Sequence, residues 1–188
     1  MKLGFAMCGS FCTHADALGV LRALARDHEI VPIVSECVAG TDTRFGTAEE
    51  LRAELVRLCG REPVASVREA EPLGPREPLD ALLICPCTGN TLAKLAHGIT
   101  DGPVTMAAKA HLRADRPLVI ALASNDALSA NLANIGNLLN RKNIYFVPLR
   151  QDAPREKPHS LVADFSLVLP AIDAARERRQ IRPLFLCR

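Results

Sequence analysis

The chain has 188 residues, 48% of them hydrophobic, with 23 Lys and Arg against 21 Asp and Glu for a formal net charge of +2. That length suits one domain with one core over residues 1–188, and the near-balanced charge lacks the basic footprint of a nucleic-acid binder. No apolar run reaches the ~18 residues of a membrane span and the N-terminus shows no signal-peptide pattern, so a cytoplasmic location is expected.

Lys2 to Cys8 reads as an apolar strand ending in Gly9-Ser10-Phe11-Cys12-Thr13, after which Ala15, Leu18, Leu21 and Leu24 continue at helical spacing. Glycine permits a tight bend there, and the hydroxyls suit a helix cap or a phosphate equally. Phe11 stands where a GxGxxG fingerprint needs its second glycine, which counts against a dinucleotide on this chain. Ile30 to Val34 is a second strand, followed by Ser35. The polar loop Cys37 to Gly46 then lies at that strand's carboxyl end, where open α/β sheets place ligands. Its Arg44 suits bidentate contact with a carboxylate or phosphate. Thr47 to Leu58 is an amphipathic helix stopped by Gly60, Pro63 to Val67 a short third strand, and Glu69 to Pro78 a linker turn.

Ala81 to Cys85 has the pattern of a buried strand, which Pro86 is expected to stop. Cys87-Thr88-Gly89-Asn90-Thr91 then turns into a helix with Leu92, Leu95, Ala96 and Ile99 on its apolar face. Free first-turn N–H groups favour an anion at that point, and Thr or Asn there also serves as a plain N-cap. Thr105 to Arg113 is a further helix, and Pro117 to Ala123 a buried strand ending in Ser124-Asn125-Asp126. The next helix, Ala127 to Asn140, is apolar at Leu128, Leu132, Ile135 and Leu139. Asn131, Asn134, Asn137 and Asn140 form its second ridge, open between a solvated face, a subunit contact and a ligand-facing side. Ile144 to Pro148 is a strand, Leu149 to Pro158 a charged loop, and Ser160 to Arg179 a last helix whose terminal arginines complement its dipole. The tail to Arg188 is expected on the surface.

Strands alternating with helices on short connections indicate a parallel sheet covered on both faces. Three strand ends, at Gly9-Ser10, Thr88 to Thr91 and Ser124 to Asp126, then meet at one rim, with chemistry that fits a mononucleotide phosphate and polyol. Seven cysteines, an odd number with several in strands, argue against a disulfide framework and read mostly as small buried hydrophobes. Cys85-Pro86-Cys87 lacks zinc half-site spacing, so no metal is assigned.

The runs GSFCTHADAL from Gly9, TDTRFG from Thr41, PCTGNTLAKLAHGITD from Pro86, SNDALSANLANIGNLLNRKNIYFVPLRQD from Ser124 and KPHSLVADFSL from Lys157 cover nearly the whole chain. Through them the sequence resembles the flavoprotein family of flavin-containing cysteine decarboxylases and flavin prenyltransferases. The resemblance implies a three-layer Rossmann-like, flavodoxin-type α/β fold that binds FMN. Position by position, Gly9 and Ser10 match the first flavin loop and Ser35 the residue after the second strand. Thr88, Gly89, Asn90 and Thr91 match the turn that holds phosphate and ribityl, and Ser124 and Asn125 the fourth contact.

The departures are informative. The prenyltransferases carry an arginine where this chain has Ser124, the decarboxylases' PxMN signature is replaced by ALSANLANI, and their catalytic histidine has no match. An FMN-dependent decarboxylase or prenyltransferase is therefore the disfavoured alternative. Within the family the resemblance implies an oxidoreductase subunit of sporulation, acting with a separate nicotinamide-binding A subunit to oxidise dihydrodipicolinate to pyridine-2,6-dicarboxylate. A flavin suits that reaction as hydride acceptor. The catalytic residues are unassigned, with His14 a candidate whose more usual role in a first helical turn is structural. Arg44, and after it Lys94, Lys109 and Arg141, are the cations available to a dicarboxylate substrate. A homo-oligomer built on trimers is also implied, with the asparagine ridge as part of its contact. The rival from another class is a non-catalytic subunit that binds substrate or stabilises its partner.

Overall fold

A computed structural model describes residues 1–187. Five strands, β1 (Lys2–Met7), β2 (Glu29–Val34), β3 (Ala81–Cys87), β4 (Leu118–Ser124) and β5 (Ile144–Phe146), pair in parallel in the order β2-β1-β3-β4-β5. Every residue of β3 is buried, as strands covered on both faces require. The helices are α1 (His14–Leu24), α2 (Glu36–Gly40), α3 (Ala48–Cys59), α4 (Val67–Ala70), α5 (Gly89–His97), α6 (Pro103–Leu112), α7 (Leu132–Leu139) and α8 (Val168–Arg176). One group joins α1 to the 3-10 turn ahead of α8, and another joins α5 to α6 and α7. Right-handed crossovers put these groups on opposite faces, which is the expected three-layer α/β architecture. The chain leaves β1 outward to β2 and returns to β3 on the other side, so a crevice opens at the carboxyl ends of β1 and β3.

The sheet is extended by strands that are not parallel. β7 (Leu161–Ala163) runs antiparallel to the end of β4, with Ala123 opposite Val162, and β6 (Leu149–Arg150) pairs with β7. These residues fall in the expected loop and last helix, because strands of two and three residues are too short to show a period. The tail is anchored as well: Leu149 N donates to Leu184 O and Leu186 N donates to Leu149 O, each at 2.8 Å.

Other boundaries move for local reasons. Pro86 does not stop β3, which runs on to Cys87 through a register shift against β4 between Ile84 and Cys87; an irregular ladder tolerates the missing N–H. Pro63 to Val67 is no strand: Val64 makes one isolated bridge to Ile33, and Ser66 caps α4. α5 ends at Gly98 with φ +71°, leaving Ile99 off the helix and 46% exposed. Only Cys8, Cys85 and Cys87 are buried, while Cys12, Cys37 and Cys187 are exposed and Cys59 is half-buried.

In the last turn of α6, His111 is fully buried and its Nε2–H donates to the Pro117 carbonyl at 2.9 Å, while Nδ1 has no partner among the described residues. Burial pushes the imidazole down from 6.5 to about 4. The unfolded chain therefore takes up this proton at higher pH than the folded one. The resulting stability is complete above about 6.5 and is lost as pH falls toward 4. At ~1.4 kcal/mol per unit the loss is on the order of 3 kcal/mol. Urea unfolding at neutral pH and near pH 4 is expected to show a larger drop for the wild type than for His111→Gln; equal drops would contradict it.

Candidate functional site

Hydrogen bonds tie the strand ends together at the crevice. Cys8 N donates to Pro86 O at 3.1 Å, and Ser35 N donates to Met7 O at 3.0 Å. Thr88 is the N-cap of α5: its Oγ1 accepts from Thr91 N at 3.2 Å and lies 3.1 Å from Thr91 Oγ1. Thr91 is buried, and its hydroxyl reaches Cys8 Sγ at 3.3 Å. The N–H groups of Gly89 and Asn90, in the first turn of α5, have no intrahelical acceptor.

A chain of polar side chains closes the rim beyond β4. Ser124 Oγ donates to Asp126 Oδ1, Asn131 Nδ2 donates to Asp126 Oδ2 at 2.8 Å, and Asn134 Nδ2 donates to Asn131 Oδ1 at 2.9 Å. Gly89 lies against this chain so closely that a Cβ would sit 2.5 Å from Ser124 Oγ and 2.6 Å from both Asp126 Oδ1 and Asn131 Nδ2. Hence the turns after β3 and β4 touch.

Around this contact lies a cleft of ≈ 540 Å³, lined by Gly9, Ser10, Thr88, Gly89, Asn90, Ser124, Asn125 and Arg44 together with Phe11, Phe45, Ala123 and Val162. A second cleft of ≈ 270 Å³ shares Gly9, Thr88 and Asn90 with it and adds Ser35 and Thr91. Each of the nine residues predicted for the cofactor, and Arg44, lines one or both of these two clefts, which meet at Gly9, Thr88 and Asn90.

The family described as Flavoprotein matches this chain over residues 6–166. The chain belongs to the flavoprotein family. This flavoprotein is 41% identical over 186 residues to the dipicolinate synthase B subunit of Bacillus subtilis strain 168, across 98% of the chain and 93% of the relative. Against the crystal structure of the dipicolinate synthase B subunit from Bacillus halodurans it gives a TM-score of 0.91 at 39% identity, covering 100% and 96% of the two chains. An FMN-dependent cysteine decarboxylase, SpaF, gives a TM-score of 0.65 at 25% identity over 93% and 97%.

Several candidate side chains of the flavoprotein are engaged elsewhere. His14 is buried and its Nε2 lies 2.9 Å from the Cys8 carbonyl, which only accepts, so Nε2 carries the proton. Burial pushes its pKa down, and the ring is a tie between α1 and β1. Arg141 donates to Leu95 O at 3.1 Å and Ala96 O at 2.5 Å, satisfying the last carbonyls of α5. Lys109 is exposed on α6 and lines neither cleft. Arg44 keeps the predicted place at the larger cleft, its guanidinium 4.8 Å from the Phe45 ring centroid. Burial raises the Cys8 thiol to about 11 and raises Cys85 and Cys87 further, so these three thiols are inert at neutral pH.

The asparagine ridge divides. Asn131 turns inward to hold Asp126 and buried Asn134 holds Asn131 in turn, while Asn137 and Asn140 stay exposed. α7 begins at Leu132, later than the expected Ala127, with Asn131 just ahead of its first turn; Leu132 is 47% exposed and Leu138 is buried. The sequence placed Asp126 at the rim without its role as the acceptor that Ser124 and Asn131 share, and it carried no signal for the aromatic walls Phe11 and Phe45.

Proposed function

We propose that this flavoprotein is the B subunit of a dipicolinate synthase, a cytoplasmic oxidoreductase subunit of sporulation. In this reading it holds FMN across the two clefts and contributes, with a nicotinamide-binding dipicolinate synthase A subunit, to the oxidation of dihydrodipicolinate to pyridine-2,6-dicarboxylate. The observation that carries the reading is the 41% identity over 98% of the chain to the Bacillus subtilis protein of that name.

The donor set fits the cofactor. The hydroxyls of Ser10 and Ser35, and the peptide N–H groups of Gly89 and Asn90, suit a phosphate and a ribityl chain, and Thr88 holds that turn in shape by donating to Thr91 Oγ1. Thr91 and Ser124 support them through Cys8 and Asp126, and Asn125 borders the larger cleft. Phe11, Phe45, Ala123 and Val162 give that cleft apolar walls for a ring. FMN, when bound, supplies the acceptor for the hydride lost as the substrate ring becomes aromatic. Arg44 meets a substrate carboxylate as a planar two-point donor. Assembly as a homo-oligomer built on trimers accompanies this reading.

A second reading, a subunit that binds substrate or stabilises its partner without redox work of its own, draws on one observation. His14 is buried with its Nε2–H given to Cys8 O, and the two Asp126 oxygens accept from Ser124 and Asn131, so each already has a structural task in the fold.

Purified alone, the chain is expected to be yellow, to release FMN on denaturation, and to lose its colour when dihydrodipicolinate is added without oxygen. Light scattering is expected to give a multiple of three chains of 20.3 kDa. A colourless chain that takes up no added FMN sinks the cofactor assignment. Bleaching that requires the A subunit with its nicotinamide favours the second reading.

A further inference from the structure

The two clefts differ in what they offer a ligand. The larger has the rings of Phe11 and Phe45 and the cation Arg44 beside its hydroxyls, whereas the smaller has the hydroxyls of Ser35, Thr88 and Thr105 beside Pro103 and Val104, one cation, Lys94, and the carboxylates of Glu36 and Asp101. Lys94 projects from α5 and its Nζ donates to both oxygens of Asp101 at 2.9 Å. The two side chains are 31% and 55% exposed, and a pair so open to water is held weakly. A phosphate dianion brought into this cleft meets neutral hydroxyls and two carboxylates, and Lys94 alone among the lining residues offsets its charge. Charge-assisted hydrogen bonds to phosphate exceed those that hydroxyls give.

We infer that Lys94 selects the phosphorylated flavin over its unphosphorylated form, exchanging Asp101 for the phosphate as the cofactor enters. Lys94 is thereby moved from the cations considered for substrate to a specificity-determining residue for the cofactor. This rests on the FMN reading above and adds to it the residue that reads the phosphate. Asp101 is a competitor: it holds the lysine at the cleft while no anion is there and opposes entry of one. Lys94 and Asp101 both stand at the surface, so replacing either leaves the core intact.

The test is titration of the flavin-free chain with FMN and with riboflavin, followed by flavin fluorescence, for the wild type, Lys94→Met and Asp101→Asn. The wild type is expected to bind FMN more tightly than riboflavin. Lys94→Met is expected to weaken FMN roughly tenfold to a hundredfold, the range for a lost charged hydrogen bond, and to leave riboflavin unchanged. Asp101→Asn is expected to tighten FMN and likewise leave riboflavin unchanged. A Lys94→Met chain as selective for FMN as the wild type overturns the inference and leaves the FMN reading standing. Equal weakening of both flavins does the same. An Asp101→Asn chain with unchanged or weaker FMN binding overturns the exchange. A wild type that takes up neither flavin overturns the cofactor reading and this inference together.

Discussion

Replacing Gly89 with alanine is expected to abolish retention of FMN while the sheet stays folded. The added Cβ would lie 2.5 Å from Ser124 Oγ and 2.6 Å from Asp126 Oδ1 and Asn131 Nδ2, distances that no real contact sustains. The neighbours have little room to yield. Asp126 is held on one oxygen by Ser124 and on the other by Asn131, and Asn131 is held in turn by buried Asn134. The α5 turn must therefore move away from the end of β4, carrying the N–H groups of Gly89 and Asn90 with it. Forced overpacking of this kind costs about 1–3 kcal/mol, or roughly 5 °C of melting temperature in a chain of this size. Cofactor binding suffers more, because the cleft takes its shape from that contact. Titration with FMN and a thermal melt check both parts; wild-type affinity in Gly89→Ala would remove the turn from the cofactor site.

Gly74→Ala is expected to lower stability by about 3 kcal/mol, the upper end for overpacking. A Cβ at this position would stand 2.1 Å from the carbonyl oxygen of Ala110 and 2.7 Å from its carbonyl carbon. Both belong to the backbone of α6, which has no rotamer to change. Gly136→Ala is the control: its Cβ meets nothing within 4 Å inside α7, so the helix is expected to gain about 0.5–1 kcal/mol. Urea denaturation of the three chains reads the difference. Parity between Gly74→Ala and wild type would mean that the 71–76 turn is not seated on α6.

The contrast between those glycines shows where the sequence stopped being informative. Local context does not tell which of Gly74 and Gly136 is closely packed. One lies in a proline-rich turn that reads as a linker, the other inside a helix where glycine costs stability. Only packing tells that the first has α6 against it and the second has space. The asparagine ridge repeats the lesson: spacing placed four amides on one stripe, and the chain from Asp126 through Asn131 to Asn134 took in two of them and left two outside. β6 and β7 exist because the end of β4 offers them a partner, and Pro86 stays in β3 because its neighbours hold the strand past an irregular register.

By itself the sequence determined the α/β class, the five apolar segments that became parallel strands, and the small hydroxyl, amide and glycine residues at three strand ends. Those features follow from period, from turn chemistry and from the need of a doubly covered strand to be apolar throughout, all carried by neighbours in the chain. The tertiary structure alone decided that Gly89 seals against Ser124 and Asp126, that His14 and Arg141 serve backbone carbonyls, and that Lys94 stands in the smaller cleft opposite Asp101. Each of those depends on groups brought together by the order of strands in the sheet, and no local pattern carries that information.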